Sequence, residues 1–88
     1  MKGNNSASAM KVKVFFQDDI IAIRVPGDIS FPALRERLME RLKLNESIVI
    51  QYRDEATNSL LDLENDDNLD VAWQRNPKLT LYVNYATG

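Results

Sequence analysis

The 88-residue chain has no histidine and no cysteine. Those two absences remove most of the side-chain chemistry a small enzyme relies on. Without histidine, a serine or threonine nucleophile has no imidazole base, and the commonest metal ligand is gone. Without cysteine there is no thiolate zinc site and no disulfide framework. A carboxylate pair of the glycosidase kind stays formally open, but it needs a cleft, and a chain this short rarely builds one. No phosphate-binding loop is present either, so the sequence reads as non-enzymatic, with no cofactor and no metal. What it does offer is charge. From Met10 to Asn45 seven Lys/Arg stand against five Asp/Glu, and from Glu46 to Asn76 two stand against eight. A mildly basic half is followed by an acidic half, although the net charge is only −2. No basic stripe with interleaved aromatics appears, so nucleic acid is not the expected partner.

These charges need elements to hold them. A 44% hydrophobic fraction with seven aromatics describes a globular chain, and the length suits one domain with one modest core. No run of about 18 apolar residues occurs, so no membrane span is expected. Residues 1–9 are small and polar and read as a flexible leader, and residues 86–88 as a tail. Met10–Phe16 alternates Val12, Val14 and Phe16 with Lys11, Lys13 and Phe15, which predicts a strand. Gln17-Asp18-Asp19 is a turn, and the β-branched run Ile20–Val25 a second strand of one hairpin, stopped by Pro26-Gly27. Ser30 is a helix N-cap with Pro32 in the first turn. Phe31, Leu34, Leu38 and Leu42 then form one apolar face of a helix reaching about Lys43, with Asn45 as its stop. Ile48–Tyr52 is a third strand and Leu60–Leu63 a short fourth. Asn65 or Asp66 caps a second helix that turns Leu69, Ala72 and Trp73 inward and ends near Asn76-Pro77. Leu79–Tyr85 alternates as a last strand. The order ββαββαβ predicts an α+β fold of the ubiquitin-like β-grasp kind, a mixed sheet of about five strands with two helices.

Lys11–Ile23, with its Asp18-Asp19-Ile20 turn, resembles the opening hairpin of Phox/Bem domains, especially those of fungal Bem-type polarity scaffolds. Ile50–Arg53, then Leu60, Leu61, Leu63 and Leu69–Trp73, also resemble the activator subunit of phagocyte-type NADPH oxidases. The resemblance spans residues 11–83, and the domain is expected over residues 10–85. It implies a protein-interaction adaptor. Phox/Bem domains associate front to back, a basic surface on one partner meeting an acidic motif on the other.

Carried over residue by residue, the family's defining basic residue falls on Lys13, and supporting positions fall on Arg24 and Arg41, with Arg35 and Arg37 as rim charges. A strand lysine can expose its ammonium beside a flat sheet, and arginine adds bidentate recognition of carboxylates. The acidic motif is matched in part. Tyr52, Asp54, Glu55, Asp66 and Asp67 fit, while Thr57 and Asn58 stand where the family has Gly and Asp. The expectation is therefore a basic-face domain, monomeric by itself and cytoplasmic. Its partner would be an acidic-motif Phox/Bem domain of a guanine-nucleotide exchange factor or an oxidase-assembly factor, with neither nucleic acid nor membrane involved. The alternative is a Ras-association or ubiquitin-like domain that binds a small GTPase.

Overall fold

The computed structural model describes residues 9–76 and 78–86. The expected leader lies outside the described residues except for Ala9, which already opens the first strand. Of the expected tail only Ala86 is described. Seven elements follow in the order ββαββαβ: β1 (Ala9–Phe16), β2 (Asp19–Pro26), α1 (Phe31–Leu42), β3 (Ile48–Asp54), β4 (Ser59–Asp62), α2 (Asp66–Arg75) and β5 (Leu79–Tyr85). The strands form one five-stranded sheet ordered β2-β1-β5-β3-β4. β1 and β5 run parallel, from Val12 opposite Leu79 to Phe16 opposite Val83, and every other pairing is antiparallel. This is the ubiquitin-like β-grasp that the sequence pattern predicts.

The two-residue period of the strands sorts their side chains. Val12, Val14, Phe16, Ile23, Val25, Ile50, Tyr52, Leu79, Leu81 and Val83 all face one side and are buried. Leu34 and Leu38 of α1, Leu69 and Ala72 of α2, and Leu63 close the core over them. The other face is open and presents Lys11, Lys13, Ala22, Arg24, Val49 and Arg53 to solvent. Phe15 and Tyr82, opposite each other in register, stack on that face with centroids 5.0 Å apart and planes at 13°. Such an offset cross-strand pair fixes two neighbouring strands against each other.

Both helices are capped by their own sequence. The Ser30 hydroxyl accepts from the amide of Ala33 at 3.3 Å. α1 stops at Leu42, earlier than Asn45, because Lys43 takes a left-handed conformation (φ 56°). The amide of Lys43 then donates to Glu40 and that of Leu44 to Met39, at 3.2 and 2.8 Å. This is a Schellman pattern, and the partly buried Leu44 supplies the hydrophobic contact that accompanies it. In α2, Asn65 is the cap. Its side chain accepts from Asn68 N at 2.9 Å, while the Asn68 side chain accepts from Glu64 N at 3.0 Å. Asp66 and Asp67 at the start and Arg75 at the end of α2 suit its dipole. Among the described residues no helix is long and apolar enough to cross a membrane.

Leu38 is fully buried where α1 meets the sheet. Leu38→Ala is expected to cost about 2–5 kcal/mol of stability, as large-to-small core changes do. Urea unfolding measures this, and a loss of under about 1 kcal/mol would show that α1 is not seated as described.

Candidate partner interface

Five cations gather on the β2 side of the molecule. Lys13 stands at the middle of β1 on the open face, between Ala22 on β2 and Thr80 on β5. Its neighbours are short, so the ammonium rises clear of them. The Phe15 ring lies beneath it, with Nζ 5.9 Å from the ring centroid, a weak cation–π contact that steers the side chain without neutralising it. Lys11 lies directly opposite Arg24 across β1 and β2. The Arg24 carbonyl turns away from β1 and accepts from Arg37 Nη1 at 3.4 Å. Lys11 and Arg24 therefore form a non-hydrogen-bonded pair, the closer-spaced kind in an antiparallel ladder. Like charges in that position destabilise a sheet.

Around the β2 edge, Arg24, Arg37 and Arg41 line one open groove of about 400 Å³ with Ile23, Ala33, Glu36 and Glu40. The structure thus brings Arg24, Arg37 and Arg41 together, with Lys13 next to them across Ala22. It does not bring Arg35 there. Arg35 lies on the other flank of α1, near Phe31, Met39, Lys43 and Leu44. Lys11 is the basic residue that sequence reading passed over. Its signal was the shared parity with Lys13, which puts both on one face of a strand.

The acidic candidates are divided by the fold. Asp54 is not a surface charge: it is 1% exposed. Its Oδ2 pairs with Arg75 Nη2 at 3.0 Å and accepts from the Thr57 hydroxyl at 3.0 Å. Its Oδ1 accepts no hydrogen bond among the described residues. Asp66 also works inside the molecule, since its Oδ1 accepts from the amide of Phe31 at 2.6 Å, joining the start of α2 to the start of α1. Glu55 and Asp67 are exposed. Between them, Arg53 on the open face donates through Nε to the Asn58 side chain at 2.8 Å, and through Nη2 as well. Asn58 itself takes a left-handed conformation (φ 58°), which Asn tolerates better than most residues. Asn76, entirely buried, completes this end. Its Oδ1 accepts from the amide of Glu55 at 2.9 Å and its Nδ2 donates to the Ala72 carbonyl at 3.1 Å. Local sequence marks Asn76 only as a helix stop, and nothing in it announces a bond to a residue 21 positions earlier.

A five-stranded sheet with one face open to solvent, and a cluster of cations beside β1 and β2, define a ubiquitin-like β-grasp with a charged flank. Residues 9–86 match the model of the PB1 domain, and the chain belongs to that family, the Phox/Bem domains. PB1 domains are protein–protein interaction modules. This chain is 40% identical over 78 residues to the protein scd2/ral3 of Schizosaccharomyces pombe; these cover 89% of this chain and 14% of that protein. Among solved structures it is similar to the AtNBR1-PB1 filament (L-type), with 28% identity, a TM-score of 0.77, and coverage of 91% of this chain and 100% of that one. The PB1 domain of Cdc24p (long form) shares the fold at 16% identity, a TM-score of 0.69, and coverage of 88% of this chain and 95% of that one.

Replacing Asn76 by Ala leaves the partly buried amide of Glu55 without its partner, while the Ala72 carbonyl keeps the backbone amide of residue 76 at 2.9 Å. The expected loss is about 1–3 kcal/mol, the usual cost of unsatisfied buried polar groups. Chemical denaturation checks it. A change within about 0.5 kcal/mol, the range of an ordinary surface substitution, would show that Asn76 does not hold the loop.

Proposed function

We propose that this domain is the basic partner in a heterotypic pair. In this reading Lys13, Arg24, Arg37 and Arg41, with Lys11 added, receive the acidic motif of another PB1 domain. The supporting observation is that none of these five cations has an ion-pair partner among the described residues, whose one ion pair is Arg75–Asp54. Glu36 and Glu40 share the groove with the three arginines, but the five cations outnumber them and repel one another. A partner's carboxylates relieve that repulsion when they dock. Electrostatic pairing of this kind favours fast encounter and a single orientation, and a planar arginine fork adds geometric selection for carboxylates.

The partner we favour is the PB1 domain of a guanine-nucleotide exchange factor in fungal cell polarity, working in the cytoplasm. The likeness to scd2/ral3 and to the Cdc24p domain supports polarity over oxidase assembly. The absence of a histidine or a cysteine from the whole chain fits a domain that works by binding alone.

The Cdc24p PB1 domain is the natural probe. Lys13→Ala is expected to weaken its binding by about 2–5 kcal/mol, the cost of truncating one member of a desolvated charge pair, while leaving the thermal melt unchanged. Titration calorimetry beside a melting curve decides this. Unchanged binding by a folded variant overturns the basic-face reading, and selective binding to a GTP-loaded small GTPase instead would replace it.

Salt supplies a second check. Exposed charges more than about 8 Å apart are screened at physiological ionic strength. The dissociation constant is therefore expected to rise steadily between low and high salt, and a flat response means an apolar interface.

A further inference from the structure

The end of the molecule opposite the basic face carries the remains of an acidic surface, and the domain's own arginines occupy it. Asp54 closes β3 and is 1% exposed, with Arg75 Nη2 3.0 Å from its Oδ2. Arg75 closes α2, and its side chain is 47% exposed. The guanidinium therefore lies over the carboxylate as a lid between it and solvent. Next to Asp54 in β3, Arg53 holds the side chain of Asn58, four residues beyond Asp54, with two of its N–H groups. The loop's central polar groups are thus satisfied from within.

We infer that Arg75 sets the direction of assembly: it fills, in cis, the carboxylate at Asp54 that would otherwise receive Lys13 of a second copy of this chain. The inference rests on the basic-face reading above, because Lys13 is the group that would come. Three observations carry it. First, β1 and β3 are separated by β5, so Lys13 and Asp54 of one copy cannot meet. A contact between them is therefore a contact between copies, heterologous and open-ended. Secondly, Asp54 keeps one oxygen, Oδ1, that is buried and unpartnered among the described residues. Arg75 is its one ion-pair partner among the described residues, so removing Arg75 both uncovers the carboxylate and leaves it without a cation. An unpaired buried charge is costly, and one way to lower that cost is to recruit a cation from outside. Thirdly, the similar AtNBR1-PB1 domain forms a filament, so chains of this fold can assemble end to end.

Sedimentation across a concentration series tests this, with Arg75→Gln as the main variant. The wild-type domain stays monomeric. Arg75→Gln is expected to self-associate at least about tenfold more tightly, the scale of a relieved charge pair, and Lys13→Ala added to it is expected to restore the monomer. Asp54→Asn added to it is expected to do the same. Arg75→Lys guards against loss of the fold, because it keeps a cation over Asp54 while giving up the planar fork; it is expected to associate to an intermediate degree. If Arg75→Gln does not fold, Arg75→Met removes the cation while keeping the apolar stem, and a folded Arg75→Met that stays monomeric overturns the inference. A folded Arg75→Gln that stays monomeric overturns it directly. Each variant is also titrated with the Cdc24p PB1 domain. Monomeric variants that still bind this probe through Lys13 sink the inference alone and leave the basic-face reading standing. Probe binding indifferent to Lys13→Ala sinks both.

Discussion

The parallel ladder between β1 and β5, from Val12 opposite Leu79 to Phe16 opposite Val83, brings the first and last strands of the chain together at the middle of the sheet. Everything else is arranged around that pairing. It cannot form until the whole chain between the two strands has found a route back, and the two helices and the β3–β4 hairpin supply that route. With β1 and β5 joined, β2 is forced to one edge and β4 to the other. The basic hairpin and the acidic loop therefore end on opposite sides of one small domain. Separation of the two charge types follows from topology, and net charge has no part in it.

The same ladder gives the open face its character. Phe15 and Tyr82 are brought together because their strands are in parallel register, and their stack forms the floor under Lys13. A lysine on this floor has short neighbours and the Phe15 ring beneath its ammonium, which reduces the conformational entropy it must give up in any contact with an anion. On the other side of the β2 edge, Arg37 covers the carbonyl of Arg24. That contact also blunts an exposed edge strand, which would otherwise invite pairing with another chain.

Much of this was legible in the residues. The period-two runs in 10–16 and 79–85 and the period of Phe31, Leu34, Leu38 and Leu42 each gave the right element, and Ser30 gave the right cap. Local sequence suffices where an element's own pattern decides its burial. It fails where burial is decided from far away. Asp54 sits in a polar stretch, Arg53–Ser59, that reads as loop; it is buried because Arg75 and Asn76 arrive from α2 to cover it. Asp66 reads as a first-turn helix acid, which it is, but its carboxylate also joins α1 across 35 residues. Arg24 is legible as a basic-face residue and Lys11 as the polar side of a strand, but only the pairing register shows that they face each other. In each case the missing information is a long-range contact that no single segment contains.

The central claim is that partners approach this domain from one side only. The most direct measurement is a map of backbone amide chemical shifts in the isotope-labelled domain as the Cdc24p PB1 domain is added. The account predicts that the changes concentrate at Lys11, Lys13, Ala22, Arg24, Arg37 and Arg41, with Glu55 to Asn58 left in place. Changes centred on Glu55 to Asn58 and on Asp67, with β1 and β2 silent, would contradict it.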